Sequence, residues 1–316
     1  MATFVLSKAA NMKIDRIIIL LLLLLLVSSA SPGAEQSSGL IAPGATLKKM
    51  QSGFTFTEGP AADAFGNVYF TDIPNERIYK WSFADGKISV YKEKTGQANG
   101  LMFDAKGRLV ICEMGNSRVT LDDMKGNTTV LADSYNGKKF HMPNDLWIDS
   151  KGGIYFSDFY MGQESIQKGE LQIYYISPDL KKLTQVTDDI VAPNGLIGTP
   201  DGKTIYITDP GEAKTWSYEI NPDGTLKGKK LFCEQAADGM AMDEKGNVYL
   251  GGSPNVAIYS PAGEKIAEIA LPENCANLKF TGKDRKTLFF TARTSIYTLE
   301  MAVRGAPTAL DQAKSK

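Results

Sequence analysis

The sequence predicts an all-β fold, on three observations. A short segment related to Asn-Gly-Leu recurs six times at intervals of about 40 to 50 residues, a spacing typical of propeller blades. Asp or Thr follows each start by five residues, and Gly follows the first five starts by eight. No amphipathic pattern of helical length interrupts the repeats. Together these observations predict a six-bladed β-propeller with four-stranded blades. The repeats start at Glu58, Asn99, Asn144, Asn194, Asp238 and Ala276.

The N-terminal segment is predicted to lie outside this fold. Lys13 and Arg16 precede an apolar run over residues 17–27, and the small residues Ser28-Ser29-Ala30 follow it. This order predicts a signal peptide over residues 1–30 and an exported protein, periplasmic or secreted, with a linker over 31–44. The apolar run is shorter than the roughly 20 residues of a membrane span, so we expect no membrane anchor after signal cleavage.

Each repeat is predicted to open with a β-hairpin. An apolar strand ends, an Asp caps a tight turn, and a Gly takes the backbone conformation with positive φ before the chain returns. The returning strands are rich in β-branched and aromatic residues, as in 68–72 and 205–209. The propeller is predicted over residues 45–302, with a C-terminal tail over 303–316. The sixth repeat lacks one strand, and residues 45–51 are predicted to supply it, so that an N-terminal strand closes the ring.

Composition points to a small ligand. The formal net charge is -1 and 43% of the residues are hydrophobic, which gives no sign of a nucleic-acid partner.

The sequence has an odd number of widely spaced cysteines, Cys112, Cys233 and Cys275, so at least one thiol is free. We expect buried structural thiols. Whether two of them pair, and the oligomeric state, stay open.

The repeat starts predict a metal site. The first strand of each blade lines the central channel, so equivalent positions converge on the axis. Five of the six starts carry a side-chain oxygen, as carboxylate or carboxamide, which is the ligand set of a hard divalent cation. We expect one ion, Ca²⁺, with Zn²⁺ or Mn²⁺ as open alternatives. The alternative without a metal is that these residues cap strand ends. The five residues are Glu58, Asn99, Asn144, Asn194 and Asp238.

Other polar residues are predicted at the rim of the same site. The sequence has a single histidine, His141, three residues before Asn144, and we predict that His141, Asn99 and Asn144 contact the substrate. Acidic residues end the second strands of four repeats and are expected to cap loops. They are Asp72, Glu113, Asp158 and Asp209.

The ordered motifs resemble the family of gluconolactonases, regucalcin (senescence marker protein) and related lactonases. The segments that carry the resemblance run from FTEGPAAD at 56–63 through MPNDLWIDSKGGIYFSD at 142–158 and APNGL at 192–196 to DGMAMDEKGNVY at 238–249. The resemblance implies a six-bladed propeller and a sugar lactone as substrate. It also implies a metal held by Glu58, Asn194 and Asp238, with Asn144 as a further ligand or a substrate contact.

The chain departs from the bacterial gluconolactonase branch at the wall of the pocket. Met114 stands where that branch tends to carry His, and His141-Met142 where it carries Asn-Ser. A further departure covers residues 157–160. These differences bear on the substrate more than on the type of reaction.

The predicted reaction is hydrolysis of a sugar lactone or a similar small cyclic ester. The cation would act as a Lewis acid and Asp238 as the base that activates water, or as a ligand that orients it. A Gly-x-Ser-x-Gly nucleophile elbow is missing from the sequence. Two alternatives stay open: a phosphotriesterase-like hydrolase on the same calcium site, and a non-catalytic propeller that binds a ligand or a protein.

Overall fold

The chain folds into β-sheet with one short helix in the described part. The computed structural model describes residues 39–159, 171–252 and 254–314. The predicted signal peptide at 1–30 lies outside these residues. In chain order the strands are β1 (Lys48–Ala62), β2 (Val68–Asp72), β3 (Arg77–Trp81), β4 (Ile88–Glu93), β5 (Ala98–Phe103), β6 (Leu109–Glu113), β7 (Arg118–Asp122), β8 (Thr128–Ala132), β9 (Ser134–Tyr135), β10 (Lys138–Lys139), β11 (Met142–Ile148) and β12 (Ile154–Phe159).

The remaining elements continue the same pattern. They are β13 (Ile173–Ile176), β14 (Leu183–Gln185), β15 (Leu196–Gly198), β16 (Thr204–Asp209), β17 (Lys214–Ile220), β18 (Leu226–Cys233), β19 (Met240–Met242), β20 (Val248–Leu250), β21 (Asn255–Tyr259), β22 (Lys265–Ala270), β23 (Asn277–Thr281), β24 (Thr287–Glu300) and the helix α1 (Ala309–Lys314). Among the described residues, no helix combines the length and apolar character needed to cross a lipid bilayer.

The sheets confirm the all-β, propeller-like architecture. Four repeats form four-stranded antiparallel sheets in the order of the chain, β5 to β8, β11 to β14, β15 to β18 and β19 to β22. Their first strands contact one another in sequence, β1 with β5, β5 with β11, β11 with β15, β15 with β19, and β19 with β23. β23 contacts β1 in turn, which closes a ring of inner strands.

The prediction of six separate four-stranded blades is wrong for the first and last repeats. The described residues form five large sheets instead of six, four of them four-stranded and one six-stranded with the order β23-β24-β1-β2-β3-β4. The cause is the length of two strands, since β1 runs for 15 residues and β24 for 14 without a break. Residues 48–52 pair with 295–298 of β24, so the N-terminal strand joins the C-terminal end of the sheet as expected.

The predicted turn chemistry is present. Asp63 Oδ1 accepts the backbone N–H of Phe65 at 2.8 Å and of Asn67 at 2.9 Å, and Gly66 has a φ of 86°. Asp104, Asp149 and Asp243 accept backbone N–H groups in the same way. Each turn thereby fixes where the returning strand starts, which is why strands such as β2 and β6 fall where the sequence predicts them.

The core lies between neighbouring sheets and is aromatic. Tyr155, Tyr249, Phe70 and Phe289 are among the largest fully buried side chains. The buried hydroxyls find acceptors, since Tyr155 donates to Gly224 O at 2.8 Å and Tyr249 to Asp243 Oδ2 at 3.1 Å. The three cysteines are free and buried, as expected for structural thiols.

Candidate metal and substrate site

The oxygen-bearing residues at the repeat starts lie on the ring of inner strands. Glu58 is in β1, Asn99 in β5 and Asn144 in β11, while Asn194 and Asp238 lie two residues before β15 and β19. The first four are only 3% to 7% exposed. Asp238 is partly open. A ring of buried oxygen atoms from five repeats therefore surrounds the channel.

A backbone irregularity recurs at the start of the inner strands. The pairing of β1 with β2 shifts register between Glu58 and Ala61. The same shift occurs between Ala98 and Leu101 in β5 and between Pro143 and Leu146 in β11. A bulge redirects side chains relative to the regular alternation of a strand. The same irregularity therefore occurs at the site residue of three repeats, Glu58, Asn99 and Asn144.

A glycine after the site residue lets neighbouring inner strands approach closely. A Cβ atom placed on Gly59 would lie 1.9 Å from Asn99 O, and one on Gly195 would lie 2.2 Å from Asp238 O. Only glycine fits at such a backbone contact. The carbonyl-bearing backbone of one repeat is thus packed directly against the next, which holds the site residues of adjacent repeats near each other.

Side chains at the end of the second strands hold this axial backbone from outside. Hydroxyl groups donate to it, Thr71 to Asn99 O at 3.2 Å, Thr208 to Gly195 O at 3.4 Å and Thr291 to Asn277 O at 3.1 Å. The Cys112 thiol takes the same place in the second repeat and lies 3.9 Å from Asp145 O.

The acidic residue that follows caps the loop leading into the inner strand. Asp209 accepts the N–H groups of Val191 and Ala192 at 3.0 and 2.9 Å. Asp72 and Asp158 accept the equivalent pairs of N–H groups in their own repeats. Glu113 differs, because its carboxylate binds Asn116, Arg118 and Thr120. The contacts of Asp72, Asp158 and Asp209 therefore show that these residues cap loops, and they do not indicate a catalytic role.

Three of the predicted ligands are brought together. Asn194 Nδ2 donates to Asp238 Oδ1 at 3.0 Å. Burial raises the pKa of Glu58 well above its usual range, and repulsion from Asp238 adds to this effect. Burial also raises the pKa of Asp238 to about 6, although the bond from Asn194 lowers it. Two carboxyl groups that repel each other, one buried and the other only partly open, need a cation or a proton.

The orphaned oxygens of the ring fit a hard cation. Asn99 Oδ1 and Asn194 Oδ1 are buried and have no hydrogen-bond partner among the residues that the structure describes. Because Asn194 Nδ2 faces the Asp238 carboxylate, its Oδ1 is the atom left for a cation. Buried unpaired carbonyl oxygens are rare and costly in proteins. No group of three or more His, Cys, Asp or Glu side chains in the described ranges could hold a metal, and the ring relies on amide oxygens beside two carboxylates. That donor set suits Ca²⁺ rather than Zn²⁺.

The residues that were predicted to contact the substrate lie partly on the ring and partly on a loop outside it. Asn144 is buried on the ring, and Asn99 Nδ2 lies 3.1 Å from Met114 Sδ. His141 is exposed on the loop before β11, where its backbone N–H donates to Asp158 Oδ2 at 3.0 Å and its carbonyl accepts from Ser117 at 3.1 Å. A role of these three residues in substrate binding stays a prediction.

The sequence reasoning missed two residues of the ring. Asn277 Nδ2 donates to Glu58 Oε2 at 2.9 Å. Burial raises the pKa of Asp145 to about 7, while attraction to Lys279 lowers it. A signal was available, because the position after each repeat start is Gly in four repeats and is Asp145 and Asn277 in the other two. The polar residue of the sixth repeat is therefore Asn277, one position after Ala276.

Comparison with known proteins gives a consistent result. A model of the family described as SMP-30/Gluconolactonase/LRE-like region matches residues 56–294, which include all six repeat starts. A gluconolactonase from Zymomonas mobilis is 24% identical over 286 residues, covering 79% of this chain and 80% of the relative.

Two solved structures have a similar fold. A gluconolactonase from Xanthomonas campestris is 26% identical, with a TM-score of 0.75 over 83% of this chain and 91% of that chain. Regucalcin from Agrobacterium tumefaciens, described as a calcium-binding protein, is 21% identical, with a TM-score of 0.73 over 84% of this chain and 97% of that chain. The second likeness shows the fold alone.

Proposed function

The chain belongs to the SMP-30/gluconolactonase/LRE-like family, as its motifs predicted, and we propose that it hydrolyses a small lactone of the sugar-lactone class at the axial ring. The proposal includes one divalent cation, Ca²⁺, held by Glu58, Asn144, Asn194 and Asp238. Support comes from the names of its relatives, which are gluconolactonases that match over most of both chains.

One observation carries the metal part of the proposal. Two buried amide oxygens, Asn99 Oδ1 and Asn194 Oδ1, have no hydrogen-bond donor within the described part of the chain, and they share the ring with the repelling carboxyls of Glu58 and Asp238. A purely structural ring would gain by replacing such groups with apolar ones. Their combination is what a cation site with oxygen ligands requires.

The residues of the ring then have different roles in the proposed reaction. When bound, Ca²⁺ supplies a Lewis acid that polarises the carbonyl of the lactone. Asp238 is the proposed base, or a ligand that orients the attacking water, because its carboxylate is partly open and lies beside Asn194 on the ring. Asn194 orients Asp238 through its Nδ2 bond. Asn277 orients Glu58 from the other side.

Activity against sugar lactones with and without a chelator tests the reaction. We expect wild-type protein to lose at least about 100-fold in rate on chelation and to recover with added Ca²⁺. Asp238→Asn and Glu58→Gln should lose a similar factor. Asp85→Asn, an exposed carboxylate in a turn of the first repeat, is the matched control and should keep full activity. Hydrolysis at the wild-type rate in chelator, or in both site variants, would contradict the proposal.

Thermal unfolding tests the cation separately from the chemistry. A ligand that binds only the folded state stabilises it by about 2.7 kcal/mol at 100 times its Kd. Calcium should therefore raise the Tm of the wild type by several degrees and leave that of Glu58→Gln nearly unchanged. If the Tm of the wild type does not respond to calcium, the ring is not a calcium site. That outcome would leave a ligand-binding propeller without a metal.

A further inference from the structure

A cavity of about 450 Å³ lies at the end of the channel away from the predicted metal ligands. The inner strand β1 passes the ring at Glu58 and reaches the cavity at Ala62, roughly 13 Å further along at about 3.3 Å per residue. β23 reaches it at Lys279 to Thr281. A volume of this size falls in the range of small-molecule sites, which is about 300 to 1,000 Å³.

The segment after β24 forms one wall of this cavity. Ala306 N donates to Met242 O at 2.9 Å, and Gln312 Nε2 donates to Pro200 O at 2.9 Å. Asp311 caps the start of α1 through Thr308 and pairs with Arg285 at 3.2 Å. Bonds to other parts of the chain thus fix the C-terminal segment across the end of the channel.

The remaining walls combine polar and apolar side chains. They come from inner strands of several repeats and give an organic ligand surface to pack against. The apolar side chains that contribute are Met102, Trp147, Ile197, Met242 and Phe280.

One ammonium in the lining has no ion-pair partner among the described residues. Burial lowers the pKa of Lys279, while attraction to Asp145 and Asp311, neither of which forms an ion pair with it, raises this pKa. The carboxylate of Asp63 accepts hydrogen bonds from Phe65 and Asn67 within its own turn. Asp311 is paired with Arg285. The lining therefore carries three cationic side chains, Lys279, Arg285 and the exposed Lys283 at the rim, against the two carboxylates of Asp63 and Asp311.

We propose that this cavity is a binding site for a small organic monocarboxylate. The ammonium of Lys279 pairs with the carboxylate, and the body of the ligand packs against Trp147 and Met242. An ammonium without an ion-pair partner, next to the apolar side chains of the wall, suits a monoanion with an apolar body. A phosphate would need several converging donors or an arginine fork, and the cavity lacks a free one because Arg285 is held by Asp311. The site is independent of the proposed lactone hydrolysis.

Calorimetric titration of the full chain with 4-bromobenzoate tests this site. Chelator is present throughout, so that a metal on the axial ring cannot bind the probe. We expect saturable binding of one probe per chain below about 10 mM, and at least about tenfold weaker binding of the neutral 4-bromobenzamide. Lys279→Met should weaken binding by at least about tenfold. Lys283→Met, the matched control at the rim, should bind within about threefold of the wild type.

Crystals of the wild type with the same probe give a second measurement that does not depend on any variant. The anomalous signal of bromine should lie between Trp147 and Lys279. Bromine elsewhere, equal affinity of Lys279→Met and the wild type, or no saturable heat up to about 10 mM would each overturn the proposal.

Discussion

At the scale of single residues, several acidic side chains lie near the axis, and the fold itself does not neutralise their negative charges. Glu58, Asp145 and Asp238 all have raised pKa values, chiefly because burial penalises their charged forms. Lys279 attracts Asp145 but forms no ion pair with it among the described residues. Carboxyls held in this way cost stability, and such groups cluster where a protein binds ions or performs chemistry.

Asp145 should make the metal-free protein less stable as the pH rises. Its pKa is about 7 in the folded chain and about 3.9 when unfolded. Between these values the folded state binds more protons than the unfolded state, so the free energy of unfolding falls with pH, by up to about 1.4 kcal/mol per unit. Asp145→Asn removes this loss and should be the more stable protein at pH 7 to 8.

Urea unfolding in chelator from about pH 5 to 8 measures the difference. Wild type and Asp145→Asn should converge towards pH 4 and diverge above it. Asp188→Asn changes an exposed carboxyl and should follow the wild type at every pH. Parallel curves for wild type and Asp145→Asn would show that the pKa of Asp145 is not raised by folding.

The ring residues were predictable where the repeat places them in one column. Glu58, Asn194 and Asp238 stand at equivalent positions, and their mutual contacts follow from the convergence of inner strands. Asn277 was not predicted because Ala276 occupies the column position in the sixth repeat. The contact between Asn277 and Glu58 joins the last repeat to the first, so it depends on ring closure and not on local sequence.

At the scale of the strand and its flanking loops, the pair of residues that ends each second strand acts as a clamp. In the fourth repeat, Thr208 holds the axial backbone and Asp209 holds the loop that enters it. The hairpins and their turns were predictable because Asp and Gly recur at fixed offsets. The bulge after Glu58 was not, because it depends on how two strands pair and leaves no separate mark in the sequence.

Removing one clamp should weaken both the fold and the site. Asp209→Ala leaves the N–H groups of Val191 and Ala192 without their acceptors. We expect a loss of about 1 to 3 kcal/mol in the free energy of unfolding. Calcium affinity should fall as well, because Ala192 lies two residues before Asn194. Urea unfolding gives the first quantity and calcium titration the second.

Asp188→Ala is the matched control for this change. It removes an exposed carboxylate from the same loop and should stay within about 0.5 kcal/mol of the wild type. If Asp209→Ala were no less stable than this control, the carboxylate would not hold the loop.

At the scale of the whole molecule, the first and last strands of the described residues, β1 and β24, meet in one sheet. Lys48 and Lys49 pair with Thr298 and Tyr297 of β24. The sequence predicted this closure from a strand missing in the last repeat. It did not predict the merging of the first and last repeats, since β1 and β24 continue through the positions where separate strands were expected.

Closure by the N-terminal strand should hold the ring together. In a chain that begins at Gly53, β24 loses its partners over residues 48–52 and becomes an open sheet edge. The bond from Ala302 N to Leu40 O at 2.8 Å and the bridge between Ile41 and Met301 are lost with it. Open edges pair with other chains, so this protein should unfold at lower urea and associate in solution. A chain that begins at Gly39 is the control and should unfold like the full chain.

A synthetic peptide of residues 39–52 distinguishes lost closure from general damage. Strand addition at a free edge is a standard mode of peptide binding. The peptide should raise the urea midpoint of the chain from Gly53 in proportion to the logarithm of its concentration, once it exceeds its Kd, and should suppress association seen by size-exclusion chromatography. It should not affect the chain from Gly39, whose edge is already paired. An unchanged midpoint on truncation would mean that contacts among the inner strands, and not the paired ends, keep the ring closed.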